Sequence, residues 1–301
     1  MSEQNQGYEK VIGLVVFAFA AFAVSDGVRK IVVQDYPIID ILFWQAVCGL
    51  GVPLVLMTFT GGLRALIDRR NVKYQAGRGV LIAMNTTCSL LAVSAVPIMD
   101  AYTIFFLTPF VTCVMGAMLF KEHIGKYRLM SIAVGFIGAL VAFRPGFEAL
   151  HPAYSYAFAC VFIFSASNMV ARKIGRTPNL MAFAFWPFVM LIVALVIYQL
   201  VYLGGHFSPI YDVMFFVWVG VAGMAYGLAS LTIAYAFTLA PAPVIAPYQY
   251  TQIIFALGFG YFVFGNMPDA YKVTGAFIII GAGLVLFARE RALKKRAASH
   301  S

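Results

Sequence analysis

Apolar residues in this chain do not alternate with polar ones; they gather in blocks about as long as a bilayer crossing, which takes about 20 helical residues at 1.5 Å each. Ten such blocks follow one another with short gaps: 11–30, 38–59, 79–97, 99–119, 128–145, 153–171, 180–203, 213–238, 243–264 and 271–288. Each is expected to be a helix, because a single spanning segment satisfies its backbone in lipid only that way. The ninth block opens unusually. Residues 240–252 read APAPVIAPYQYTQ, with Pro241, Pro243 and Pro247 ahead of five polar-capable side chains, Tyr248 to Gln252. Proline removes backbone donors and disturbs the first turns of a helix, and transporters bind solutes at such discontinuous helices.

Sliding the chain over itself by 144 positions reveals an internal repeat. Gly79 falls on Gly223, Ala92 on Ala236, Pro97 on Pro241, Gly116 on Gly260, Phe120 on Phe264, Tyr127 on Tyr271 and Phe143 on Phe287, with no gap from 79 to 143. Matches of Pro, Gly and Tyr at bends and loops are harder to produce by shared apolarity than matches of Leu or Val. Two halves of five spans follow, and because five is odd the second half enters the membrane from the opposite side. The expected domains are a cytoplasmic tail at 1–10, repeats at 11–145 and 153–288, and a basic cytoplasmic tail at 289–301.

Charge agrees with that layout. Of 21 Lys and Arg residues, the segments placed inside hold all but Arg29, Lys30, Arg144 and Lys272. This is the bias of the positive-inside rule, with both termini cytoplasmic and an inner (plasma) membrane location. The net charge of +9 is thereby explained as orientation and attraction to anionic lipid, and nucleic-acid binding is not expected. Only 11% of residues are charged and 62% are hydrophobic, against roughly 25% charged in soluble chains. The polar start, Met1 to Lys10, lacks the features of a cleaved signal peptide. Cys48, Cys88, Cys113 and Cys160 lie singly inside apolar blocks and read as small buried hydrophobes.

With these features in place, the chain resembles the drug/metabolite transporter superfamily, EamA type. The resemblance rests on Ala95-Val-Pro-Ile-Met-Asp-Ala101, on Leu239 to Pro247, on Phe120-Lys-Glu122, and on the pairs Gly135/Gly138 and Gly281/Gly283. Glu122 stands where such chains often carry Glu after the fourth span, while its repeat mate is Asn266, a departure. The resemblance implies an all-α integral membrane fold of ten transmembrane helices in two inverted repeats, a small-molecule solute, and a cavity built from spans one, three, four, six, eight and nine.

Motifs for other chemistry are missing. Gly125-Lys126 lacks the remainder of a phosphate-binding loop, the four histidines show no His-x-x-x-His pair, and no Gly-x-Ser-x-Gly elbow occurs. No metal site, cofactor or catalytic residue is expected, and the chain is not read as an enzyme. Polar residues inside the spans carry the functional reading instead. A charge at mid-membrane costs about 2.5–3.5 kcal/mol on insertion scales, less near an interface, so it marks either a pairing or a site. Asp26 either pairs with Arg29 or Lys30 or serves as a cavity carboxylate. Asp100 either caps a helix or touches solute.

The expected solute-binding set is Asp26, Asn85, Tyr102, Asn168, Tyr226, Ser230, Tyr248 and Gln252, with Asp26 and Asp100 as candidates for ion coupling. Tyr and Phe with amides and a carboxylate suit an amphipathic or aromatic metabolite such as an amino acid, vitamin or nucleoside-like solute. Gln45, Trp186 and the pair Arg172/Lys173 read first as packing or interface anchors. Glycines in spans five and ten leave a homodimer open beside packing within one chain. An intramembrane enzyme and a non-transporting partner or sensor subunit are the alternatives still open.

Overall fold

The computed structural model describes residues 2–60, 62–67, 69–95, 98–122, 124–143, 152–177, 179–202, 212–264 and 269–298. The regular structure among the described residues is all helical, without strands. The helices are α1 (Ser2–Val32), α2 (Ile38–Thr60), α3 (Val72–Ala95), α4 (Ile98–Phe105), α5 (Thr108–Phe120), α6 (Lys126–Phe143), α7 (Tyr154–Ile174), α8 (Ala182–Tyr202), α9 (Val213–Leu239), α10 (Ala242–Ile245), α11 (Thr251–Phe264) and α12 (Ala270–Ala298). A 3₁₀ turn, Ala246–Tyr250, joins α10 to α11. Among the described residues, seven stretches are long and apolar enough to cross a membrane: Glu9–Val32, Ile38–Phe59, Ala101–Phe120, Tyr154–Ile174, Ala182–Tyr202, Val213–Leu239 and Ala270–Arg289. Side chains such as Phe262, Val285, Phe277 and Met118 stand largely exposed, the surface expected of spans bathed in lipid.

Two of the apolar blocks are broken among the described residues, and proline accounts for both. Pro109 sits in the first turn of α5 and offers no N–H to the carbonyl of Phe105, where α4 ends. Phe106 and Leu107 bridge the pieces, with the Leu107 amide donating to Ile104 at 2.9 Å. In the ninth apolar block Pro243 starts α10 and Pro247 starts the 3₁₀ turn, so the segment is built from three short pieces. The disturbed start at Pro241–Pro247 matches the expectation; the break at Phe106 was not anticipated. At the chain ends, helix α1 begins at Ser2 and α12 runs to Ala298, so helical backbone extends into both expected tails. Pro97, Arg144, Asn266 and all four histidines (His123, His151, His206 and His300) lie outside the described residues.

Packing pairs the helices in a regular way. Helix α1 lies on α9 and α3 on α7; α2 lies on α9 and α3 on α8; α1 lies on α11 and α5 on α7; α2 meets α8, and α6 meets α12. Small residues allow the closest approaches. A methyl group at Gly223 would fall 2.5 Å from the Gln45 carbonyl oxygen on α2, and one at Gly79 would fall 2.8 Å from the Trp186 carbonyl oxygen on α8. Gly138 on α6 has the Gly275 carbonyl of α12 3.0 Å from a would-be Cβ. The apolar core threads between these contacts, with Val15, Ala18, Phe188, Ile233 and Phe237 in its largest cluster.

Gly223→Ala is expected to destabilise the protein by about 1–3 kcal/mol through overpacking of α9 on α2. Gly220→Ala, on the same helix with nothing within 4 Å of the added carbon, is expected to leave stability unchanged or slightly higher. Thermal unfolding in detergent compares the two; equal melting temperatures would contradict the packing described.

Candidate functional site

Helix α1 places Ser25, Asp26 and Arg29 inside a spanning stretch, and the neighbouring spans arrange partners around them. Asp26 Oδ1 lies 3.5 Å from Arg29 Nη1. Its other oxygen, Oδ2, accepts from the Tyr102 hydroxyl of α4 at 3.1 Å and from Gln252 Nε2 of α11 at 3.1 Å. Arg29 Nε donates to Gln45 Oε1 on α2 at 2.8 Å, and the Gln45 amide in turn reaches Ser25 Oγ at 3.4 Å. Ser25 donates to the Ala222 carbonyl of α9 at 2.9 Å. Asp26, Arg29 and Ser25 together therefore tie α1 to α2, α4, α9 and α11.

This network faces a cavity of about 130 Å³, well above the ~10–15 Å³ that a single water requires. Its walls are Phe19, Phe22, Asp26 and Arg29 from α1; Asn85, Thr86 and Ser89 from α3; and Tyr102 and Phe105 from α4. Phe106 and, from α5, Thr108 and Pro109 continue the wall at the broken fourth span. Cys160 and Phe164 of α7, Tyr226 of α9, Gln249 and Gln252 complete it. Tyr226 is held between aromatic edges, with ring centroids 5.4 Å from Phe22 and 6.0 Å from Phe188. Its hydroxyl lies 3.3 Å from Thr86 Oγ1, and the Arg29 guanidinium stands 5.5 Å from its ring centre. Asp26 and Arg29 keep 29% and 21% of their side-chain exposure, so both remain available to a solute in the cavity.

Five of the eight expected residues meet here: Asp26, Asn85, Tyr102, Tyr226 and Gln252. Asn168, Ser230 and Tyr248 do not reach the cavity. Asn168 shares a helix face with Ser165 and Arg172, and that face turns to α5 and its end: Ser165 Oγ lies 2.9 Å from Thr112 Oγ1, and Arg172 Nε donates to Glu122 at 2.9 Å. Ser230 lies one turn past Tyr226 and is buried. Tyr248 packs in the apolar core because residues 246–250 wind as a 3₁₀ turn. With three residues per turn, Gln249 and Gln252 share a side, where α-helical spacing would have paired Tyr248 with Gln252. Asp100 lies on α4, and its side chain is outside what the structure describes.

Several cavity residues escape sequence reasoning. Gln249 needed the 3₁₀ winding, Phe105 and Phe106 needed the break at Pro109, and Arg29 was weighed only as a partner for Asp26. Gln45 is a working member of the polar network and not a lone packing residue. Arg172 is an ion-paired group whose partner, Glu122, also accepts from the Ala242 amide at 2.9 Å. This latch joins the ends of α5 and α7 to the start of α10. Lys121 makes it possible: its left-handed backbone (φ 53°) turns Glu122 back toward Gly116, where there is no side chain to obstruct it.

The model of the EamA-like transporter family matches residues 10–144 and 151–288. The chain belongs to this family. It is a multi-pass membrane protein of a transporter family. Among curated relatives, the S-adenosylmethionine uptake transporter of Rickettsia bellii (strain RML369-C) is 24% identical over 221 residues, covering 73% of this chain and 74% of that one. The pseudopaline exporter CntI of Pseudomonas aeruginosa (strain UCBPP-PA14) is 23% identical over 277 residues, covering 91% and 94%. One solved crystal structure superposes with a TM-score of 0.75 at 14% identity, over 96% of this chain and 99% of that one, a likeness of fold alone.

Arg29→Gln is expected to destabilise the protein by about 1–3 kcal/mol, since it strips Asp26 of its counter-charge while leaving the carboxylate enclosed. Adding Asp26→Asn to that variant is expected to recover most of the loss. Melting temperatures of the two single variants and the double variant make the cycle, and strictly additive effects would show that the pair is not coupled.

Proposed function

We propose that the protein is a secondary transporter that carries a small organic metabolite across the inner membrane by alternating access. The solute binds in the cavity between two inverted repeats, residues 11–145 and 153–288, each of five spans. The observation that carries this reading is the cavity itself: a charged pair, amides and aromatic rings face one space at the junction of two broken helices. An enclosure that served packing alone would be expected to be apolar, since polar groups withdrawn from water are costly there. Tyr226, Tyr102, Phe22 and Phe164 offer ring faces and edges, while Asp26, Arg29, Gln249 and Gln252 orient polar groups, which suits an amphipathic or aromatic solute.

Packing supports the ten-span inverted layout. Exchanging the halves turns α1 on α9 into α7 on α3, α2 on α9 into α8 on α3, and α1 on α11 into α7 on α5; all three partners occur. Gly79 and Gly223, repeat mates by sequence, make the equivalent close approaches to α8 and α2. The bias of basic residues supports cytoplasmic termini. Asp26 is the proposed coupling group, and exchange without coupling is the second form of the same mechanism. Asn168, Ser230 and Tyr248 stay in the proposed path as residues that meet the solute on the side now closed. Family membership and the named relatives favour transport over catalysis, and among the described residues no cluster of His, Cys, Asp or Glu suits a metal.

Thermal-shift screening of the purified protein against amino acids, nucleosides, vitamins and quaternary amines is expected to identify a stabilising solute, because a ligand of the folded state raises stability with its saturation. In liposomes, Asp26→Ala is expected to insert normally yet lower the flux of that solute by roughly tenfold, as loss of one charge-assisted contact would do. Undiminished flux would remove Asp26 from the site. A wild-type protein that moved no small organic solute under any gradient would end the transport reading.

A further inference from the structure

Beyond the cavity, the same spans bury polar groups with hydrogen-bonding capacity left unmet. On α3, Gln75 is 0% exposed and neither atom of its amide has a hydrogen-bond partner. One turn later Arg78 is 1% exposed. It donates Nη1 to the Phe183 carbonyl at 2.6 Å and lies 5.6 Å from the Phe183 ring centre, while its Nε has no partner. Among the described residues no carboxylate pairs with it. A basic residue that merely set membrane orientation would extend its head to the interface. Arg78 is wrapped inside instead, where a cation without a counter-charge is strongly disfavoured.

Position explains what the pair is for. Gln75, Arg78, Asn85 and Ser89 are spaced by three, seven and four residues, so they share one face of α3. Asn85 and Ser89 line the cavity; Arg78 lies about 10 Å further along that face, at 1.5 Å per residue. The direction is toward the Glu122–Arg172–Ala242 latch, because Lys173, next to the latch residue Arg172, stands over the ring of Tyr74 near the start of α3. Asn168 and Ser230 lie one turn past the cavity residues Phe164 and Tyr226 in the same direction, and their polar side-chain atoms are likewise unpartnered. Buried polar groups on three spans thus continue the cavity toward an end that is shut.

We propose that Gln75 and Arg78 form an oxyanion-binding subsite on the closed half of the path. It takes the anionic group of an organic solute when the latched end opens. The proposal rests on the transport reading above. The planar guanidinium fork matches a carboxylate-like group through two parallel hydrogen bonds, and the Gln75 amide supplies a further donor. Arg29 offers the same chemistry in the cavity, where its guanidinium stands 5.5 Å from the Tyr226 ring centre. Asp26 balances Arg29, but among the described residues no carboxylate balances Arg78; the solute brings that negative charge.

The test uses the full chain with its four native cysteines replaced, in membrane vesicles of each orientation. Gln75→Cys is treated with two methanethiosulfonate reagents of comparable size, one bearing a sulfonate and the other a trimethylammonium group. Reaction is expected from the latched side, with the sulfonate reagent favoured by roughly tenfold, within the range of local concentration that a charged cleft produces. The preference should vanish with Arg78→Gln and persist with Arg78→Lys. Ile82→Cys, between Arg78 and the cavity, is the second reporter if Gln75→Cys does not insert, and Ser89→Cys reports on the cavity. Reaction at Ser89→Cys but at neither deeper position would refute the subsite and leave the cavity reading intact. Reaction without charge preference, or a preference that survives Arg78→Gln, would refute it as well. Silence at all three positions from both sides would overturn the subsite and the transport reading together.

Discussion

A polar group in a lipid-embedded fold must find its partners inside the protein, and the architecture around Asp26 follows from that constraint. The carboxylate draws one donor from its own helix and one each from α4 and α11, while Arg29 and Ser25 extend the network to α2 and α9. Each of those partners sits on a span whose position relative to α1 is set by close helix packing. Gly223 lets α9 press on α2, so Gln45 arrives within reach of both Arg29 and Ser25. The polar cluster and the small-residue contacts are two sides of one arrangement.

The broken helices supply what an unbroken bundle could not. At Pro109 the break between α4 and α5 turns Phe105, Phe106 and Thr108 toward the cavity, and at Pro247 the 3₁₀ turn before α11 presents Gln249 and Gln252 together. Interrupted backbone is tolerated at membrane depth where protein or a cavity covers it, which is where both interruptions lie. The same chain closes its other end with the Glu122–Arg172 pair and the Ala242 amide, a contact among three helix termini that charge-assisted hydrogen bonds make specific. A charged pocket at one level and a latched, polar-lined interior at the next fit the alternating access proposed above.

Much of this was legible before any tertiary contact. Apolar block lengths fixed the helical, membrane-spanning class, and the offset of 144 residues paired Gly79 with Gly223, two glycines that make equivalent contacts in the fold. Asp26, Asn85, Tyr102, Tyr226 and Gln252 stood out because polar groups inside long apolar blocks are costly. Asn168, Ser230 and Tyr248 stood out for the same reason, yet they lie off the cavity. Polarity within a span reports that a group has been sheltered, not which space shelters it.

What the sequence determined by itself is therefore periodic and local: span length, the bias of basic residues, the proline positions and the repeat. What the tertiary structure decided is which polar groups face one another. The Tyr248 side chain is directed into the core and that of Gln249 into the cavity by about 20° more winding per residue, a 3₁₀ turn in place of an α-helix. Arg78 changes from an orientation charge to a wholly enclosed cation because α8 brings the Phe183 carbonyl and ring over it. Such outcomes depend on contacts more than a hundred residues apart along the chain, and helical spacing within one span cannot encode them.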